Sequence, residues 1–188
     1  MKNNTVNLLF NPFIRIAGWQ AFGIGLIVLI ITGLIGANSA VAFDGVLDMH
    51  LFEITYFQSF AYLILSLASL VLVMWITGLI QSKGFRFIDI LGTMTLAKAP
   101  NLLLAIAGFF TTVPNLDNIQ NDPLAIFQNV SFVLMLVLSM VVMIWNITLM
   151  YQGLKISCNL NGSKLTVAFI IALLASEILS KALIFKLI

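Results

Sequence analysis

Five long apolar runs constrain this chain more than any other feature. They fall at about 16–37, 57–80, 88–113, 128–152 and 165–187. Each reaches the roughly 20 mostly apolar residues needed to cross a hydrocarbon layer of about 30 Å. A soluble fold would have to hide these runs beneath a charged shell, and nine basic and seven acidic side chains among 188 residues cannot make one. With 61% hydrophobic residues and a mean hydropathy of +1.11, the sequence predicts a single all-α integral membrane domain over 1–188, five transmembrane helices in a compact bundle. The small residues Ala37-Asn38-Ser39-Ala40 suit a signal peptidase. The run before them, however, is longer than the roughly 7–15 residues of a signal h-region, so it is read as a span.

The charges divide by loop. Lys2 and Arg15 precede the first run, Lys83 and Arg86 separate the second from the third, and Lys155 and Lys164 separate the fourth from the fifth. The other two loops hold no Lys or Arg and carry Asp44, Asp48 and Glu53, then Asp117 and Asp122. By the positive-inside rule the N-terminus is cytoplasmic, with Lys186 as the single dissenting charge. Net charge is only +2 and no basic stripe forms, so no nucleic-acid partner is expected. Cys158 is the only cysteine, which excludes an internal disulfide; its loop is expected to be cytoplasmic and reducing, and it is given no role.

Local signals refine the spans. In the stretch NLLFNPFIRIAGWQAF, Asn11 is a candidate cap, Pro12 suits a first helical turn, and Arg15 and Trp19 suit the headgroup level. Asp122 and Pro123 repeat the device before the fourth run, and Asn161-Gly162 marks a turn before the fifth. Small residues recur at multiples of four in the first run (Ala17, Ala21, Gly25, Gly33, Ala37) and in the fifth (Ala168, Ala172, Ser176, Ser180). Lipid tails are as apolar as Leu, so helices associate where small residues let backbones approach; both stripes are expected to face protein, within the chain first and a second copy next.

Three charges lie inside the runs away from their ends, Lys98, Glu177 and Lys181. Lys98 is ten residues past Ile88 and Glu177 twelve past Leu165, depths of about 15 and 18 Å from the same side at 1.5 Å per residue. An unpaired charge there costs at least about 2.5–3.5 kcal/mol, so a partner is expected. Three arrangements are open. Glu177 and Lys181 satisfy each other at i,i+4, Lys98 snorkels to the headgroups, or Lys98, Glu177 and Lys181 form a polar cluster between the third and fifth spans. Pro100 cannot donate to the Leu96 carbonyl, and a kink there leaves an acceptor for Lys98, Thr93 or Asn101.

The outer loop FDGVLDMHLFE gathers Asp44, Asp48, His50 and Glu53, oxygen and imidazole groups of the kind a divalent ion takes, although a solvated acidic rim explains them as well. Phosphate-binding Gly-Lys loops, His-Glu-x-x-His, Gly-x-Ser-x-Gly and paired intramembrane aspartates are all missing from the sequence. Neither an enzymatic activity nor a cofactor is expected.

NPFIRIAGWQAFGIGL, FDGVLD and DILGTMTLAKAPNLLL together resemble the bacterial branch of the Yip family, the Ypt/Rab-interacting membrane proteins with a Yip-one domain. The resemblance spans essentially the whole chain, including a third span with Gly92, Ala97, Ala99 and Pro100. It implies five spans, a cytoplasmic N-terminus and a bacterial inner-membrane address. Eukaryotic members act with Rab GTPases and carry an Asp-Leu-Tyr/Trp-Gly-Pro motif in a longer amino-terminal region. This sequence lacks the motif, so Rab binding does not carry over. The leading expectation is a non-enzymatic multi-pass protein that organises the bilayer, other membrane proteins or further copies of itself. The alternative is a small transporter or permeation subunit built on the Lys98, Glu177 and Lys181 cluster.

Overall fold

A computed structural model describes residues 5–82, 84–113 and 125–188. A short helix α1 (Thr5–Phe10) and a 3-10 turn (Pro12–Ile14) lead into α2 (Gly18–Asn38). A two-stranded antiparallel hairpin, β1 (Val41–Ala42) with β2 (His50–Leu51), connects to α3 (Tyr56–Gln81), with Val41 opposite Leu51 and Ala42 opposite His50. Then come α4 (Phe87–Ala97), α5 (Asn101–Gly108), α6 (Ala125–Gln128), α7 (Val130–Cys158) and α8 (Gly162–Leu187). α2, α3, the α4–α5 pair, α7 and α8 are each long and apolar enough to cross a membrane, and the chain is a five-span, all-α polytopic membrane protein.

Helix starts follow from their caps. At α3, Thr55 and Gln58 form a reciprocal capping box, the Thr55 hydroxyl accepting from the Gln58 amide at 3.2 Å and the Gln58 side chain accepting from the Thr55 amide at 3.0 Å. α7 is capped by Asn129, whose side chain accepts from the Phe132 amide at 3.2 Å, and it ends on Asn159 at a left-handed φ of 50°. Asp117, Asp122, Pro123, Lys2 and Lys83 lie outside the described residues. Asn11 does precede a turn with Pro12 at its start, but it makes no side-chain cap bond and its Oδ1 is buried without a partner. Arg15 and Trp19 are exposed.

Glycine decides how the helices meet. A Cβ on Gly25 would stand 2.6 Å from the Leu96 amide nitrogen, and one on Gly92 would run into the Gly18 carbonyl, so α2 and α4 pack backbone against backbone. The first-span stripe is buried at Ala21, Gly25 and Gly33; its ends differ, Ala37 being half-buried and Ala17 exposed. In α8 all four of Ala168, Ala172, Ser176 and Ser180 are buried, on the helix that packs along α3. At one end Ser82 donates to the Cys158 carbonyl at 2.7 Å and Ser157 to the Asp89 carbonyl at 3.2 Å. At the other, Tyr56 donates to Asn38 at 3.0 Å. Arg86, Lys155 and Lys164 belong to the first end; Asp44, Asp48 and Glu53 belong to the second.

The third span breaks at Lys98-Ala99-Pro100. The backbone tightens to i→i−3 bonds, Lys98 to Thr95, Ala99 to Leu96 and Asn101 to Lys98, at 3.0–3.2 Å. The Leu96 carbonyl that Pro100 cannot serve is therefore taken by the Ala99 amide, and not by the side chain of Lys98, Thr93 or Asn101. Lys98 is thereby released to project elsewhere.

Candidate functional site

The loop between α2 and α3 folds back into the bundle. Val41, Ala42, Phe43 and Val46 are each 2% exposed or less, and there is room for them because their neighbours are small: a Cβ on Gly108 would collide with Val41, and one on Gly36 would come within 2.9 Å of the Val41 carbonyl. The inserted loop brings one peptide group between buried Lys98 and half-buried Glu177. Lys98 Nζ donates to the Val46 carbonyl, and the amide of Leu47 donates to Glu177 Oε2 at 2.9 Å. That carbonyl and that amide belong to a single trans peptide, so its oxygen and its N–H point in opposite directions. A peptide dipole of about 3.5 D thus stands with its negative end on the ammonium and its positive end on the carboxylate. Desolvated charges need such aligned partners when they do not touch.

Lys98 is 4% exposed, so it does not snorkel to the headgroups. Its break-point position and the facing Val46 carbonyl offer a satisfied bond inside the bundle instead. Glu177 and Lys181 do not pair at i,i+4 either. Lys181 reaches away from Glu177 to Asp48 at 2.8 Å and Asp44 at 3.4 Å, and Asp44 also bonds His50 Nδ1 at 2.8 Å. Lys98, Glu177 and Lys181 therefore do not form a cluster by mutual contact; each is bonded to the inserted loop instead. Glu177 Oε1 is buried without a partner and lies where a Cβ on Gly45 would fall, so Gly45 is the residue that lets the loop close over the acid. Pro100 is buried at the break and sets the direction of Lys98 without bonding to any of these groups.

The four outer-loop residues divide. Asp44, Asp48 and His50 enter the ion-pair network with Lys181, while Glu53 stays exposed. Among the described residues, no three His, Cys, Asp or Glu side chains are placed to hold a metal ion. Cys158 is free and buried.

A further polar contact was not anticipated. Asn146 of α7 donates to Asn101 Oδ1 just past the break; both side chains are buried, and Asn146 Oδ1 has no partner. The signal was present in the run MVVMIWNITLM, where Asn146 is a lone amide in mid-span. The two amides line a cavity of about 170 Å³ that also includes Phe43, Asp48, Met49 and Met143.

Comparison with family models, curated proteins and solved structures finds no match to any of them.

Proposed function

We propose that this chain is a non-enzymatic membrane organiser of the Yip type, set in a bacterial inner membrane with its N-terminus in the cytoplasm, which holds membrane partners against the sides of its helices. The observation that carries this reading is the closure of the intramembrane charges: the Val46–Leu47 peptide occupies the space between Lys98 and Glu177. A transport path through these groups needs access to Lys98, which is 4% exposed. The charges lock the bundle, and its outer faces are left for association. Gathering of Arg86, Lys155 and Lys164 at one end supports the cytoplasmic assignment of that end.

Of the five spans, α7 is the least covered by the rest of the chain. Along it Val130, Leu134, Val137, Val141 and Ile144 are exposed at alternating steps of four and three. That spacing forms the seam along which a second helix packs at a small crossing angle. Photo-crosslinking amino acids placed at Val137 and Val141 in native membranes are expected to give discrete protein adducts that are missing when the probe is at Ile178 of α8. Adducts to lipid alone at all three positions would count against the organiser reading.

A further inference from the structure

A second cavity opens where the third span breaks, and it shares no residue with the charge lock. α1 and the Pro12–Ile14 turn close one side of it, α2 contributes Ile24, α7 contributes Trp145 and Leu149, and Ala99 and Pro100 lie at its bottom. The Ala99 methyl and the Pro100 ring, shorter than the leucines around them, leave the room. The volume is about 370 Å³, and none of the lining residues is charged. Their one polar side-chain atom, the indole nitrogen of Trp145, already donates to the Leu9 carbonyl at 3.1 Å. Lys98, next to Ala99, adds no charge there because it is turned to the Val46 carbonyl. Ile24 and Leu103 at the edges are exposed on helices that cross the membrane, so the cavity is a groove open sideways to the bilayer.

Its dimensions select the occupant. Gly92 abuts the Gly18 carbonyl, which sets the start of α2 level with Gly92, and Leu103 is eleven residues farther along the third span. At about 1.5 Å per residue the groove runs about 17 Å from Ile16 to Leu103, close to one leaflet of a hydrocarbon layer of about 30 Å. A volume of about 370 Å³ spread over about 17 Å gives a section of about 22 Å², that of a rod about 5 Å across. A helix, about 10–12 Å across with its side chains, is too wide for it, and water finds no polar partner there. A single extended hydrocarbon chain fits. Charge is confined to the mouth: Arg15 stands on the turn between Pro12 and Ile16, exposed, and its guanidinium has no partner among the described residues. We infer that this groove holds one acyl chain of a phospholipid from the leaflet at that end, with the phosphate of the same lipid at Arg15. Hydrocarbon gains no hydrophobic free energy by leaving other lipid tails, so retention comes from close contact with the walls and from the phosphate on Arg15. One basic residue favours a net-anionic headgroup over a zwitterionic one by about fivefold. The inference does not rest on the organiser reading: the α7 row from Val130 to Ile144 takes no part in the groove, so either can fail alone.

The test is native mass spectrometry of the full-length chain in detergent micelles, titrated with dioleoyl phosphatidylglycerol or dioleoyl phosphatidylcholine. One phosphatidylglycerol should be retained saturably and phosphatidylcholine about fivefold more weakly, and Arg15→Gln should remove the difference. Ile24→Phe together with Leu103→Phe fills the groove from its exposed edges and should abolish retention of both lipids. Position is read separately. With Trp19→Phe and Trp75→Phe, Trp145 is the only tryptophan left, and phosphatidylglycerol brominated along its acyl chains should quench its fluorescence over the same concentration range. Inorganic phosphate should not displace the lipid. Retention that survives the filled groove, a phosphatidylglycerol preference that survives Arg15→Gln, an unquenched Trp145, or displacement by phosphate each overturns the proposal. If the filled variant fails to fold, Arg15→Gln and the Trp145 quenching decide, since Arg15 is exposed and its loss leaves no buried group unpaired.

Discussion

Glu177→Gln is expected to destabilise the chain in detergent by about 1–3 kcal/mol, because Gln still accepts from Leu47 but the charge-assisted bond is lost and Lys98 keeps no facing carboxylate. Lys98→Met should cost a similar amount from the other side. The double variant should lose less than the two singles together, by about 0.5–3 kcal/mol of coupling. Recovery must be incomplete, since the Val46 carbonyl then has no donor from Lys98. Unfolding titrations of all four proteins give the cycle. Losses that simply add would mean that the loop peptide does not join the two charges.

The second large effect concerns two glycines that composition alone treats as equivalent. Gly92→Ala should destabilise by about 1–3 kcal/mol, since its methyl meets the backbone carbonyl of Gly18, and backbone cannot swing aside as a side chain does. Gly23→Ala, whose Cβ meets nothing within 4 Å, should be neutral or stabilise by up to about 1 kcal/mol through helix propensity. Melting curves with opposite signs for the two variants establish the direct apposition of α2 and α4. A loss at Gly23 equal to that at Gly92 would contradict it.

Why these features differ in legibility follows from the range over which each is encoded. Span number and approximate limits were readable because the membrane imposes a length on every apolar run: the expected 57–80 and 165–187 sit within Tyr56–Gln81 and close to Gly162–Leu187. The small-residue stripe of α8 was readable for a similar reason, since helical period and residue size are local properties. The break at Pro100 was foreseen, but not its repair, because a shift to i→i−3 bonding depends on three successive backbone groups. Lys98 and Glu177 were singled out by the cost of charge in lipid. Their connection was not, since it runs through main-chain atoms of Val46 and Leu47, which any residue supplies. The loop FDGVLDMHLFE drew attention to its acids, whereas the apolar Val41 and Ala42 just before it and its own Phe43 and Val46 were the better guide to where it goes. Asn146 was missed because an uncharged amide in a span draws less notice than a charge.

The inserted loop peptide joins Lys98 to Glu177, and its amide can be observed directly. Hydrogen exchange at Leu47, followed by NMR on the full-length chain in micelles, should be as slow as at the helical amides of α3. Protection should vanish in Glu177→Leu and persist in Glu53→Gln. A Leu47 amide that exchanges as fast as that of exposed Glu53 in the unaltered protein, or one that stays protected after Glu177→Leu, would show that the loop does not close on Glu177.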